Sequence, residues 1–367
     1  MVEPVNWALA ARVGAAVARP GPRTTRAEAV GLVAELRESA AAAVDYIEQI
    51  TGLTAAAEAA SRLPVLIVDR LGFVRANVGT VHAVADRLVT EPASFPGRQV
   101  AGVQTGVVFA LLAARTLGQF DPYGAAALRP GPAHAASAGA RVPAHAAPAP
   151  EPAGRLLVVA PNVLRFEREL DVDPSDFRLW VVLHEQTHAV QFCAAPWLPA
   201  HLLGLLGRLL AEEEGGDLAQ LLDTVRRLPR SLTEPDAHAR RAGPADGVLT
   251  QTGRDLFDQV TAVMSLLEGH ADVIMDAVGP KVVRTIEEIR PKFDARRAAG
   301  GRWERAVRRL AGLDAKLAQY RDGAAFVRGV LARVGHEGLA AAFVAPANLP
   351  TPAEIADPAA WVARVHG

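Results

Sequence analysis

Apolar residues recur at helical spacing along most of this chain. Residues 24–52 open with a threonine-rich cap and then carry an apolar side chain every three or four positions, which predicts a long amphipathic helix. Its apolar face is formed by Val33, Leu36, Ala40 and Val44. The pattern predicts further helices over 198–228, 249–278, 282–298, 302–319 and 324–334, and a tail, 346–367, made of a loop and a short terminal helix.

The most apolar stretch of the chain predicts a buried helix over 97–117. Residues 100–114 carry no charge, but a bilayer crossing needs about 20 apolar residues. We therefore expect a core helix here and no membrane span.

Two short runs have the character of strands. The clearer one, Leu156–Ala160, is apolar and is followed by Pro161 and Asn162. The run VLIV at 65–68 is either a strand or the start of a helix that carries residues 73–88, and the pattern does not separate the two. The predicted fold class is mainly α with a small β element.

A change in composition divides the chain. Residues 124–154 are almost entirely Ala, Pro, Gly and His, and such a segment buries too little apolar surface to offset its ordering entropy. We predict a flexible insertion at 124–154, between an N-terminal helical region, 1–123, and a catalytic region, 155–367. The two outer regions are expected to form one integrated domain.

Charge and cysteine content exclude several classes of protein. The chain has 367 residues, half of them apolar, which suffices for a sizeable core. With 39 basic and 40 acidic residues, nothing in the charge favours nucleic acid or a membrane surface as a partner. The single cysteine, Cys193, excludes an internal disulfide and is expected to be a small core residue.

The N-terminus does not resemble a secretory signal, so we expect a cytoplasmic protein. The oligomeric state is not defined by the sequence.

One helix has a well-marked beginning. Asp173 can cap it, Pro174 suits its first turn, and Asp176 lies near the positive end of the helix dipole. The predicted helix runs from Pro174 to about Cys193.

Within this helix, His184, Glu185 and His188 form an H-E-x-x-H motif. Two histidines four residues apart lie on the same helix face, so both imidazoles can bind one ion. Zinc lowers the pKa of its water toward about 7, and Glu185 would serve as the general base. The sequence thus predicts a Zn²⁺ site, with two solvated histidines on a half-buried helix as the alternative.

A third ligand is suggested by the segment VMSLLEGHADVIMD, which resembles the second signature of thermolysin-like gluzincins. That resemblance implies that Glu268 binds the metal and that Asp272 supports a ligating histidine. His270 is the rival ligand, because histidine is the commoner zinc donor. It points roughly 200° away from Glu268 around the helix, so the two cannot both face the ion.

Segments over most of the chain resemble a family of actinobacterial zincin-like proteins, labelled zinc-dependent metalloproteases or hydrolases, with a branch named for association with deazaflavin coenzyme biosynthesis. The matching stretches are VDRLGFVRAN (68–77), TLGQFDPY (116–123), LLVVAPNV (156–163), WVVLHEQTHAVQFCAAPWL (180–198), SLLEGHADVIMD (265–276), LAQYRDGAAFV (317–327) and LPTPAEIADPAAW (349–361). The resemblance implies a mostly helical zincin-like metalloprotease fold but supplies no substrate.

These observations favour a zinc-dependent hydrolase acting on peptides or proteins. The alternatives are a zincin scaffold without proteolytic activity that binds a partner or metabolite, and a hydrolase of small amides or esters. The strand Leu156–Ala160 is either the edge strand with which zincins pair an extended substrate or a core strand. The sequence does not select an oxyanion-stabilising group among His201, His238, Tyr320 and Arg321.

Overall fold

A computed structural model describes residues 4–88, 97–124, 154–212, 250–299 and 313–367, with the backbone alone at 297–299 and 313–322. The predicted insertion, apart from its two end residues, lies outside the described residues, as does His238. So do the side chains of Tyr320 and Arg321.

Helices dominate the described residues, and a three-stranded sheet accompanies them, so the predicted fold class is confirmed. The helices are α1 (Trp7–Val17), α2 (Arg26–Thr51), α3 (Thr54–Ser61), α4 (Arg70–Leu88), α5 (Arg98–Ala113), α6 (Ala160–Leu170), α7 (Pro174–Ala194), α8 (Leu198–Glu212), α9 (Gln251–Val278), α10 (Ile286–Ala299), α11 (Leu313–Ala340), α12 (Pro352–Ala356) and α13 (Pro358–His366). The strands are β1 (Val65–Val68), β2 (Gly118–Asp121) and β3 (Arg155–Val159).

The long helix α2 confirms the prediction for residues 24–52. Thr25 caps it by accepting a hydrogen bond from the backbone N–H of Glu28, and Gly52 ends it in the left-handed region, at φ 69°. Its buried face packs on α7, where the side chain of Gln186 donates to the Ala40 carbonyl at 2.9 Å.

The sheet has the strand order β1, β3, β2. β1 is a strand, which resolves the alternative left open for residues 65–68, and it runs parallel to β3. β2 is antiparallel to β3, with Gly118 opposite Val158. The N-terminal region supplies β1 and β2 and the C-terminal region supplies β3, so both regions form one sheet.

A buried ion pair fixes β2 against β3. Arg155 donates from Nε to Asp121 Oδ2 at 3.0 Å and from Nη2 to Thr80 Oγ1 at 3.1 Å. Thr80 in turn donates to Asp121 Oδ2 at 2.6 Å. Because each charged group has several partners, the network compensates for the loss of water around them.

The helix α5 exists as predicted, but the expectation that it is buried is only partly right. Its small residues pack on α1, and a Cβ atom at Gly106 would lie 2.5 Å from the Ala10 carbonyl oxygen. Large apolar residues such as Val100 and Leu112 are about half exposed instead. So close a helix contact admits only small residues, and the larger ones are directed outward.

No single helix within the described ranges is long and apolar enough to span a membrane. α7 and α8 are long and apolar enough only when taken together, and an 89° bend separates them.

The later helices differ from the prediction in number as well as in their ends. The helices predicted over 302–319 and 324–334 are not separate where the structure describes them, since residues 313–340 form the single helix α11, with a kink at Gly335, where φ is 65°. Residues 213–228 and 302–312 of the predicted helices lie outside the described residues. The tail holds two short helices, α12 and α13, and Trp361 of α13 is fully buried. α1, α3, α6 and β2 were not predicted; in particular, Pro161 lies in the first turn of α6 and not in a loop after the strand.

Candidate metal centre

The H-E-x-x-H motif lies in the second half of α7. Hydrogen bonds of Asp173 and Asp176 fix the first turn of this helix. Asp173 caps the helix by accepting from the backbone N–H of Asp176 at 2.9 Å, as the sequence predicted. The carboxylate of Asp176 accepts two hydrogen bonds from Thr285, each 2.8 Å long. α7 is therefore fixed to the segment that leads into α10.

His184, His188 and Glu268 meet at one point. The Nε2 atoms of the two histidines lie 3.2 Å apart. Glu268 Oε2 lies 3.5 Å from His184 Nε2, and Glu268 Oε1 lies 3.5 Å from His188 Nε2. Among the described residues, these three side chains form the group whose donor atoms could hold a metal ion, all within 4.8 Å of one another.

The donor set fits zinc. Two ligands about 2.05 Å from a tetrahedral zinc ion are separated by about 3.3 Å. The two imidazole nitrogens lie 3.2 Å apart, and each lies 3.5 Å from one of the two oxygens of Glu268. Two imidazole nitrogens and a carboxylate oxygen are also a ligand set that catalytic zinc sites use. Such a set leaves a fourth position for water or substrate.

A close contact between two helix backbones places Glu268. The next residue, Gly269, packs against α11, where an added Cβ atom would lie 2.2 Å from the carbonyl carbon of Gly323. Gly323 is equally restricted, because its own Cβ atom would lie 2.1 Å from the Ser265 carbonyl oxygen. α9 therefore packs against α11 with the face that carries Gly269, and Glu268 is directed toward α7.

Glu185 lies beside the cluster but outside the set of donors. Its side chain accepts a hydrogen bond from the backbone N–H of Phe120 in β2. Burial, reinforced by the nearby carboxylate of Glu268, raises the pKa of Glu185 to about 7, although His184 and the Phe120 N–H act in the opposite direction. A carboxyl group with this pKa can both accept and return a proton near neutral pH.

The carboxylates around the cluster favour a positive charge on His184. Burial alone would lower the pKa of His184, but its hydrogen bond to Glu268 and the charges of Glu185, Glu268 and Asp272 raise it to about 9. Burial and the neighbouring His184 lower the pKa of His188. A site that stabilises a proton in this way also suits a divalent cation.

His270, the rival ligand, lies outside the cluster. Its Nδ1 atom is 3.1 Å from Nε2 of Gln191, on the far side of that amide from His188. Burial, with smaller effects of His336 and His188, lowers the pKa of His270 to about 3, so its ring is neutral. The sequence analysis missed Gln191, whose position three residues after His188 places it on the same face of α7.

Asp272 lies one turn beyond Glu268 on α9. Its carboxylate is 3.4 Å from Arg290 Nη2 and contributes to the raised pKa of His184. Met275, which the sequence analysis did not single out, places its sulfur 3.2 Å from His184 Nδ1. The supporting role of Asp272 stays a prediction.

The edge strand beside the motif helix is β2 and not β3. β3 lies between the other two strands, and all its residues are buried. The prediction of a core strand for residues 156–160 is therefore correct, and the alternative of an edge strand is wrong. Gly118 and Phe120 of β2 contact Glu185 instead. A four-residue strand containing glycine and aspartate has too weak a pattern to be recognised from the sequence.

The structure describes two further candidates, Cys193 and His201, and the role of His201 as an oxyanion-stabilising group stays a prediction. Cys193 packs on the main core, and burial raises the pKa of its thiol to about 11, which disfavours the reactive thiolate. His201 stacks edge-on against Trp197, with ring centroids 5.8 Å apart.

Comparisons with known proteins place this chain in a family. No curated protein matches the chain. Among solved structures, it is similar to a protein from Chloroflexus aurantiacus described as "a putative hydrolase with a novel fold", with 25% sequence identity, a TM-score of 0.62 and 98% of each chain covered. Neither finding bears on the branch associated with deazaflavin coenzyme biosynthesis, which stays a prediction. The model of the zincin-like metallopeptidase family matches residues 5–362, nearly the whole chain, and the protein therefore belongs to that family.

Proposed function

We propose that this protein is a zinc-dependent hydrolase that cleaves peptide bonds, with His184, His188 and Glu268 as ligands and Glu185 as the general base. The observation that carries the proposal is the cluster of three donor atoms with solvent access. The side chains of His184 and Glu268 are 26% and 34% exposed, which leaves an approach for water and substrate. A purely structural zinc site would use four protein ligands in a closed arrangement.

Bound zinc would supply a Lewis acid and a nucleophilic water at neutral pH. Glu185 is suited to accept a proton from the attacking water and to deliver it to the leaving amine. Its carboxyl group is buried beside the cluster, and the Phe120 N–H orients it. The raised pKa favours proton transfer in both directions near pH 7.

The edge of β2 supports an extended peptide as the substrate. Val159 N–H donates to the Leu117 carbonyl at 2.8 Å, so Leu117, Gln119 and Asp121 direct their main-chain groups toward β3. Those of Gly118 and Phe120 face the opposite way, next to Glu185. Since Glu185 already binds the Phe120 N–H, an extended chain at this edge would pair with the main chain of Gly118 and carry its peptide bonds past the candidate base.

The test is the substitution Glu185→Gln, which keeps the size of the side chain but removes the base. Zinc content, measured by metal analysis, should equal that of the unaltered protein. Turnover of peptides selected from a library should fall by about 10²-fold or more. The exposed Glu38 on α2 provides a matched control, and Glu38→Gln should change neither quantity.

Two outcomes would contradict the proposal. Unchanged turnover in Glu185→Gln would remove Glu185 as the base. A purified protein that binds no zinc after reconstitution would remove the metal centre itself.

A further inference from the structure

The side chain of Gln191 connects His188, a candidate zinc ligand, to α9, the helix that carries the candidate ligand Glu268. Gln191 lies one turn after His188 on α7 and is fully buried. Its Oε1 atom is 2.9 Å from His188 Nδ1. Its Nε2 atom is 2.8 Å from the carbonyl oxygen of Leu267 and 3.1 Å from His270 Nδ1, both on α9.

These contacts fix which way the amide is turned. The Leu267 carbonyl can only accept a hydrogen bond, so it must face the NH₂ group of Gln191. The flipped amide would place two oxygens 2.8 Å apart with no hydrogen between them. The oxygen of the Gln191 amide therefore faces His188.

The orientation of the amide in turn determines the tautomer of His188. An amide oxygen accepts, so Nδ1 of His188 must carry the hydrogen that it receives. The lone pair of the neutral ring is then on Nε2, the atom that faces Glu268 and His184. This is the tautomer that a metal bound through Nε2 requires.

The same amide sets the position of α9 relative to α7. Leu267 immediately precedes Glu268, so the bond from Gln191 to the Leu267 carbonyl holds the backbone next to the third ligand. His270 accepts the second N–H of the amide, which explains why a buried histidine on this helix faces α7 without joining the cluster.

We propose that Gln191, supported by His270, is the positioning residue of the metal centre: it holds His188 in the zinc-binding tautomer and holds Glu268 in register with it. This inference rests on the proposed function, because it takes His188 as a ligand.

The decisive comparison is between two buried glutamines of α7. Gln186 is 2% exposed and donates to the Ala40 carbonyl, away from the cluster. Gln191→Leu and Gln186→Leu each remove a buried amide from the same helix, so both should lower the melting temperature. Only Gln191→Leu should weaken zinc binding, by about 10-fold to 100-fold in a competition assay with a chromogenic chelator. Gln186→Leu should stay within about twofold of the unaltered protein.

A second measurement needs no substitution and remains informative if Gln191→Leu fails to fold. Long-range ¹⁵N–¹H spectra of the histidine-labelled protein, freed of metal by a chelator, should show His188 with its hydrogen on Nδ1. A hydrogen on Nε2 would overturn the proposal, and so would zinc affinities that are equal in Gln191→Leu and Gln186→Leu. Failure of the unaltered protein to bind zinc would instead refute the proposed function.

Discussion

Gly118 lies directly against the side chain of Glu185. A Cβ atom at position 118 would fall 2.5 Å from Cγ, 2.9 Å from Cδ and 3.0 Å from Oε1 of that glutamate. The absence of a side chain on the edge strand therefore makes room for the candidate base, and the neighbouring Phe120 N–H holds it.

We expect Gly118→Ala to lower the proposed peptide turnover without preventing zinc binding. The added methyl group forces Glu185 out of its place, and a displacement of about 1 Å in a reacting group can cost about 10²-fold in rate. Zinc affinity should remain, because the three atoms nearest to an added Cβ at position 118 all belong to Glu185 and not to a ligand. The measurements are peptide turnover and zinc content.

Gly31 provides the control for this substitution, since a Cβ atom there would meet nothing within 4 Å. Gly31→Ala, within α2, should leave turnover unchanged and stabilise the fold by up to about 1 kcal/mol. Full activity in Gly118→Ala would show that Glu185 does not need its present position.

The third ligand can be identified by comparing two residues of α9. Glu268→Gln should weaken zinc binding by more than about 100-fold, because it removes a charged donor 3.5 Å from both histidines. His270→Asn should weaken it by less than about 10-fold, since Asn can still accept a hydrogen bond from Gln191. Chelator competition measures both, and the reverse order of effects would make His270 the ligand.

The buried His270 should make the metal-free protein sensitive to acid. Its folded-state pKa of about 3 lies below the ordinary 6.5, so between these values the unfolded chain binds a proton that the folded protein does not. Stability should therefore fall as the pH decreases below 6.5, by up to about 1.4 kcal/mol per pH unit from this residue.

Urea unfolding at pH 7 and pH 5, in the presence of a chelator, tests this effect. The unaltered protein should lose about 2 kcal/mol more than His270→Asn between the two pH values. His366, exposed near the end of α13, serves as the control: His366→Asn should lose as much as the unaltered protein. Equal losses in all three would show that His270 does not resist protonation.

Local features of the sequence were enough to predict α7 and the two histidines on it. An Asp cap, a proline in the first turn and a spacing of four residues act within one helix, and they determine its beginning and which side chains share a face. Local patterns of the same kind predicted the ends of α2 and α9 to within a few residues.

Other parts of the site depend on contacts that a single segment does not contain. The sequence left Glu268 and His270 as rivals because each faces a different side of α9. The contact between Gly269 and Gly323, over fifty residues apart, sets the orientation of α9, in which Glu268 lies at the two histidines and His270 lies at Gln191. The edge position of β2 depends in the same way on pairing with β3 across a long stretch of chain.

The sequence by itself thus determined a helix able to present two imidazoles to one ion, because helix geometry repeats every few residues. Only the tertiary structure decided that Glu268 meets the two histidines, that Gly118 and Phe120 lie against Glu185, and that the Gln191 amide lies against His188. Each of these depends on how closely two separate backbones approach, and packing between distant segments sets that distance.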